Sequence, residues 1–252
     1  MTSEKIPGNA KLAKLMAILK EMDSVLVAYL GGVDSTFLVS VANRMLGDRA
    51  LAVLATSETY PEEEYKQAVR FLKHNRIRHR VVHTEELSDP RFASNPPEHC
   101  YFCKRELFSK MKRISEELNL RFIADGTNVD DATDFRPGRK AAHESGVRSP
   151  LKEAGFTKKE IRFFSRKMGL PTWDKPAQAC LASRFPYGTA IDAVFLEKIG
   201  KAEGLFHKLG IDQVRLRHHG KVARVEIQPA AFSRLLSDSV RNRIILDKKS
   251  RI

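Results

Sequence analysis

Two features of this 252-residue chain carry residue types that packing alone does not call for: a set of three cysteines and a paired-glycine turn. The cysteines are Cys100, Cys103 and Cys180, and the turn is Gly31-Gly32-Val33-Asp34-Ser35. Cys100 and Cys103 are three apart where a helix is expected to begin. Their sulfurs then fall close together, and the helix start favours thiolates. A C-x-x-C pair suits a zinc half-site, with His99 available as a further ligand, or a redox dithiol. Three cysteines do not form a disulfide framework in a chain of this length; in a reducing compartment they point to metal binding or catalysis.

The glycine turn follows a short apolar run, Val25 to Tyr29, and precedes a helix opened by Asp34, Ser35 and Thr36. Glycines let the backbone close around a bound group, and the helix start directs unpaired N–H groups and partial positive charge into the turn. A phosphate-bearing ligand fits there, as does an ordinary strand-to-helix connection. The turn has neither the Gly-Lys-Ser/Thr ending of the common nucleoside-triphosphate loop nor G-x-G-x-x-G, which disfavours a phosphoryl-transfer motor and a dinucleotide dehydrogenase.

The elements that must position these groups alternate. Helix is expected over 11–22, strand over 25–29, helix to about Leu46, strand over 50–55, helix over 61–74, strand over 80–83, helix over 100–118 and strand over 121–125. Continuously apolar strands alternating with helices predict an α/β, doubly wound parallel sheet, with ligands beyond the carboxyl ends of the strands. The glycine turn and Asp125-Gly126-Thr127-Asn128 would both lie there. A polar loop is expected over 88–97, a charged loop over 130–150, a helix over 157–168, and an irregular segment over 171–188 that carries Cys180. Beyond it come a helix over 191–209, strands over 213–217 and 222–228 joined through His218 and His219, and further helix. The expected division is a nucleotide-binding domain over 1–188 and a small α+β domain over 189–252.

The 42% hydrophobic content marks a folded chain. Its net charge of +13 suits either nucleic acid or polyanionic nucleotides as ligands. No apolar run is long enough for a membrane span, and Met1 to Gly8 lacks the apolar core of a secretory signal, so a cytoplasmic location is expected.

Leu30-Gly31-Gly32-Val33-Asp34-Ser35 resembles the pyrophosphate loop S-G-G-x-D-S of the N-type ATP pyrophosphatases, also called the PP-loop superfamily, departing from it at Leu30. Asn95 to Lys104, Asp125 to Asn128, and Trp173 to Arg184 narrow the match. Together they resemble the LarE-type ATP-dependent sulfur transferases, in order, from about Lys11 to Glu226. The resemblance implies ATP cleaved between its α and β phosphates, with Mg2+, to adenylate a carboxylate of a pyridinium dicarboxylate mononucleotide. AMP is then exchanged for sulfur. Gly31, Gly32, Val33, Asp34 and Ser35 would hold the nucleotide phosphates, with Asp125 and Asn128 orienting ribose or magnesium.

The family has two chemical styles: one cysteine that gives up its own sulfur, or three that hold a [4Fe-4S] cluster. Cys100, Cys103 and Cys180 match the second, because three thiolates leave one iron open. Cys180, Asp34 and Arg184 are the expected catalytic residues, with Arg184 meeting a substrate phosphate or carboxylate. Arg215 and Arg217 share a strand face and repel unless an anion lies between them, so a nucleotide phosphate or an exposed basic edge is expected there, with Glu226 as a neighbour. His218 and His219 are expected in a surface turn, and Trp173 in packing. Arg148 and Glu144 would bind substrate or cap the sheet. The small-molecule mononucleotide is the expected partner of a homo-oligomer. tRNA thiolation by a related enzyme is the alternative, and a non-catalytic nucleotide- or metal-binding protein is a third.

Overall fold

The computed structural model describes residues 8–133, 137–177 and 179–251. At its centre is β1 (Val25–Tyr29), buried along its whole length. It pairs in parallel with β2 (Ala50–Thr56) on one side and β4 (Phe122–Ala124) on the other, and β3 (His79–His83) completes the order β3-β2-β1-β4. The expected α/β parallel sheet is what forms.

Alternation along the strands sends side chains to both faces, which is why their sequences read as unbroken apolar runs. Val25, Val27 and Tyr29 enter a core shared with α1 (Gly8–Met22), α2 (Val33–Leu46), α3 (Glu62–His74) and α8 (Lys158–Lys167). Leu26 and Ala28 enter the opposite core, against α5 (His99–Glu117) and α6 (Gly138–Glu144). The chain leaves β1 for β2 on one side and later returns to β4 on the other, so the gap between β1 and β4 is the topological switch point.

The stretches expected as loops are more ordered than their polarity suggests. Pro90–Ala93 forms α4, with Asp89 accepting from the Arg91 N–H at 3.0 Å. The stretch over 130–150 contains α6 and leads into α7 (Pro150–Glu153); residues 134–136 of it lie outside the described residues. These helices are four to seven residues long. They are too short to show an amphipathic period, and capping and packing sustain them instead.

A further apolar cluster (Phe92, Leu181, Ala182, Phe185, Ile191, Leu196 and Ile199) joins α4 and the irregular segment to α9 (Ala193–Lys208). The antiparallel pair β5 (Val214–His219) and β6 (Val222–Ile227) follows, then α10 (Phe232–Leu236) and α11 (Asp238–Arg251). His218 and His219 belong to β5 rather than to the turn after it. His218 is drawn there by ring contacts with Phe185 and Phe195, at centroid distances of 5.2 and 4.6 Å. Among the described residues, no helix is long and apolar enough to cross a membrane.

Candidate active site at the carboxyl edge of the sheet

The glycine turn leaves β1 at the switch point. Gly31 has φ +67, and a Cβ placed there would stand 3.2 Å from the Ala68 Cβ, so a side chain is excluded both by backbone conformation and by α3. Gly32 caps α2, and the Thr36 N–H donates to its carbonyl at 3.0 Å. Ser35 Oγ donates back to the same carbonyl at 3.2 Å. Leu30, at the position of the family's serine, exposes 37% of its surface, and its carbonyl accepts from Tyr60 Oη at 2.9 Å.

The end of β4 presses against this loop. A Cβ on Gly126 would lie 3.0 Å from the Ser35 backbone nitrogen and 3.2 Å from the Asp34 Cβ. Asn128, fully buried, donates from Nδ2 to Asp34 Oδ1 at 3.3 Å, and Lys158 forms an ion pair with Asp34 Oδ2. Asp125 is turned to its own surroundings, accepting from Thr127 and Ser149. On the other flank, Lys175 pairs with Glu64 and donates to the Gly31 carbonyl at 3.1 Å. Two lysines therefore flank the loop, each held by a carboxylate. Neither stood out in the sequence, because both are single basic residues without a motif of their own.

The cysteines occupy the adjoining apolar cluster. Cys103 and Cys180 both pack against it, while Cys100 is exposed one helical turn before Cys103. The Leu181 N–H, next to Cys180, donates to the Thr59 carbonyl at 2.9 Å, which docks the cysteine loop on the chain leaving β2. Glu86 lies beneath this junction with 2% of its surface exposed. Its Oε1 accepts from Ser57 at 2.6 Å and Thr59 at 2.7 Å, and its Oε2 is buried without a partner. Burial, with Glu86 next in weight, pushes the Cys103 thiol well above the ordinary range; burial also raises Cys180, with Glu86 adding to the effect. For Cys103 the thiolate expected from the helix start is thus disfavoured in this fold, because desolvation outweighs the helix end.

Stability follows from that sign. The folded chain holds these two protons more tightly than the unfolded chain, so the contribution is fully present below the ordinary thiol range and is lost as pH climbs from that range through the raised folded values. Glu86→Gln removes the negative charge beside the sulfurs. Iodoacetamide is then expected to modify Cys103 faster than in the parent at about pH 8, with the pH–rate profile moved to lower pH. Mass spectrometry of the alkylated peptides reads this, and an unchanged profile would refute the influence of Glu86.

Whether the three thiols suit a metal group turns on their donor chemistry. Soft sulfur donors, two on one helix and one from the facing loop, are the set that iron–sulfur groups take. Cys103 and Cys180 pack against one apolar cluster, and Cys100 lies one helical turn before Cys103. As folded, however, no group of three or more His, Cys, Asp and Glu side chains among the described residues is spaced to hold a metal ion. His99, available in the sequence as a further ligand, is turned into packing. It is 4% exposed, bonds through Nδ1 to the Pro96 carbonyl at 3.0 Å, and packs edge-on against Phe92.

Arg184 departs from its expected role. It is 3% exposed, bridges both Glu203 oxygens at 2.9 Å, and donates to the carbonyls of Ala179 and Cys180 at 2.8 and 3.1 Å. Its guanidinium shapes the cysteine loop from inside instead of facing a ligand. Glu203 falls in step with Ile199 and Phe206 on the buried face of α9, a pattern by which the sequence could have flagged it. Arg217 donates to Glu226 at 2.8 Å and to the Ser183 carbonyl at 3.1 Å, tying the hairpin to the same loop. Its charge is met by a carboxylate of the chain, whereas Arg215 stays exposed beside it. Trp173 lies under Arg166, at 4.8 Å from the ring centroid. Glu144 accepts from Tyr101, and Arg148 pairs with Glu153 and Glu21.

Comparison with known proteins agrees with this arrangement. The pyridinium-3,5-bisthiocarboxylic acid mononucleotide synthase of Lactiplantibacillus plantarum is 35% identical over 227 residues, covering 90% of this chain and 82% of that protein. The chain belongs to the LarE-type sulfur transferase family. An uncharacterized protein of Synechocystis is 42% identical over 229 residues, covering 91% of the chain and 85% of that protein. A glutamine-hydrolysing GMP synthase of Aeropyrum pernix is 26% identical over 189 residues, covering 68% of the chain but 37% of that protein. This partial match sets the LarE-type chain among the wider PP-loop proteins. No protein-family model matches it.

Proposed function

We propose that this chain is an ATP-dependent sulfur insertase acting on a pyridinium dicarboxylate mononucleotide. The observation that carries the reading is the shared edge. The glycine turn and the cysteine loop open at the same end of the sheet, and the Leu181–Thr59 hydrogen bond joins the second to the strand beside the first. A substrate carboxylate oxygen attacks the α-phosphorus, the bond to the β-phosphate oxygen breaks, and pyrophosphate departs into the turn. Backbone N–H groups of Gly32 to Ser35 and the start of α2 stabilise the charge it gathers. A sulfide equivalent then attacks the acyl carbon of the adenylate, and AMP leaves as the thiocarboxylate forms.

Asp34 would hold magnesium, which would supply positive charge to the triphosphate. Asn128 keeps Asp34 oriented, and Lys158 balances its charge until the nucleotide arrives. Cys100, Cys103 and Cys180 would hold a [4Fe-4S] cluster, whose chemistry is to carry an extra sulfide on the iron that lacks a protein ligand. The apolar cluster around Cys103 and Cys180 keeps water from an adenylate that it would hydrolyse. Arg215, exposed beside Arg217, would be available to a substrate phosphate, and the chain would work in the cytoplasm.

The test is direct. Purified protein with ATP, Mg2+, sulfide and the dicarboxylate mononucleotide is expected to release AMP and pyrophosphate and to add sulfur to the substrate. No AMP above the substrate-free control would sink the assignment. Iron content after anaerobic preparation, expected at about four atoms per chain, addresses the cluster separately.

A further inference from the structure

A sizeable cavity lies away from the cysteines. It has a volume of about 780 Å³ and runs down the outer face of the sheet between α2 and α3, under the turn formed by residues 168–175. Only its upper end, at Gly31 and Lys175, meets the glycine turn; its lower end lies at His74, Asn75 and Ile77, a full helix length away from the carboxyl edge. The volume is that of a small-molecule site, within the usual range of about 300–1,000 Å³.

Its lining divides into an apolar floor and a basic rim. Tyr29, Phe71, Ile77 and Leu170 form the floor, each less than a tenth exposed, and the Tyr29 and Phe71 rings stack at a centroid distance of 6.2 Å. Arg44 from α2 and Arg70 and His74 from α3 stand exposed on the rim. None of the three has an ion-pair partner among the described residues, unlike Arg148, Lys158, Lys175, Arg184 and Arg217. Arg70 and His74 are four apart and share one helix face, so nothing on their own helix separates them. In the wall, Thr172 Oγ1 is buried without a hydrogen-bond partner, a deficit that a ligand atom or a water relieves.

We propose that this groove is a second ligand site, separate from the ATP site, for an organic anion with a flat apolar body: an aryl or nucleoside monophosphate. The body lies on the Tyr29–Phe71 floor, and the phosphate is held by Arg44 and Arg70. Lys175 lines the groove and also donates to the Gly31 carbonyl, so an occupant bears on the loop that holds ATP. Coupling of that kind is reciprocal: the ligand shifts ATP affinity, and ATP shifts the ligand's by the same factor.

Phenyl phosphate is the probe, titrated calorimetrically into the full chain with and without saturating α,β-methylene ATP. The site predicts one probe per chain, still bound when the analogue is present, and an analogue affinity that changes when the probe is present. Arg44→Ala with Arg70→Ala is expected to weaken the probe by about tenfold or more and to leave the thermal midpoint unchanged, since both side chains are exposed and unpaired. Displacement of the probe by the analogue, or equal binding to the double variant, would overturn the second site. Binding without any shift in analogue affinity would overturn the coupling. No turnover is required, so the result stands apart from the sulfur-transfer assay.

Discussion

Gly126→Ala is expected to lower ATP-dependent AMP release by about a hundredfold, the usual effect of moving a catalytic group by roughly an ångström. The new methyl would meet the Ser35 nitrogen at 3.0 Å and the Asp34 Cβ at 3.2 Å. Both belong to the backbone start of α2, which no rotamer change can move. The helix start must therefore withdraw from β4, carrying with it the N–H groups and the Asp34 carboxylate proposed to meet the phosphates. Asn128 would lose its 3.3 Å hydrogen bond to Asp34 at the same time. Pyrophosphate release, followed alongside the thermal midpoint, separates a displaced loop from an unfolded one. Activity within a few-fold of the parent would show that the contact between β4 and the loop has no catalytic weight.

Glu203→Ala is expected to destabilise the chain by about 3–5 kcal/mol, the cost of stranding one partner of a buried ion pair. Arg184, 3% exposed, would keep its charge with neither carboxylate oxygen nor water in reach. The Leu216 N–H would also lose its 2.8 Å bond to Glu203. The same change frees the loop carrying Cys180, because Arg184 holds the carbonyls of Ala179 and Cys180 only while Glu203 fixes its position. Arg184→Met with Glu203→Leu, which removes both charges, should recover most of the stability without restoring the loop. Denaturant unfolding gives the first comparison and the alkylation rate of Cys180 the second. A loss below about 1 kcal/mol for Glu203→Ala would place the pair among weakly coupled surface ions.

The alkylation profile of Glu86→Gln complements these two variants. It reports the electrostatic setting of the sulfurs without requiring nucleotide, sulfide or iron. Burial in the apolar cluster, with Glu86 adding to it, raises the Cys103 and Cys180 thiols, so loading the proposed cluster would be expected to release protons.

The sheet and its glycine turn were legible in the chain because they rest on local rules. Val25 to Tyr29 is apolar throughout since both faces of β1 are covered, and Gly31 is required by its own φ and by α3. Order in the polar stretches was hidden, since α4 and α7 span about one turn each and depend on caps and neighbours. Side-chain roles were the least legible. Spacing placed Cys100 and Cys103 together, but it could not foresee that burial would keep Cys103 protonated or leave Cys100 in solvent. Arg184 four residues after Cys180 suggested a ligand contact, and only the fold brought Glu203 beneath it. Glu86, Lys158 and Lys175 acquire meaning through partners between 27 and 144 residues away. Periodicity and turn chemistry act over a few residues and are written in the order of the chain. Burial and charge pairing depend on which distant segments meet, and that was decided by tertiary packing alone.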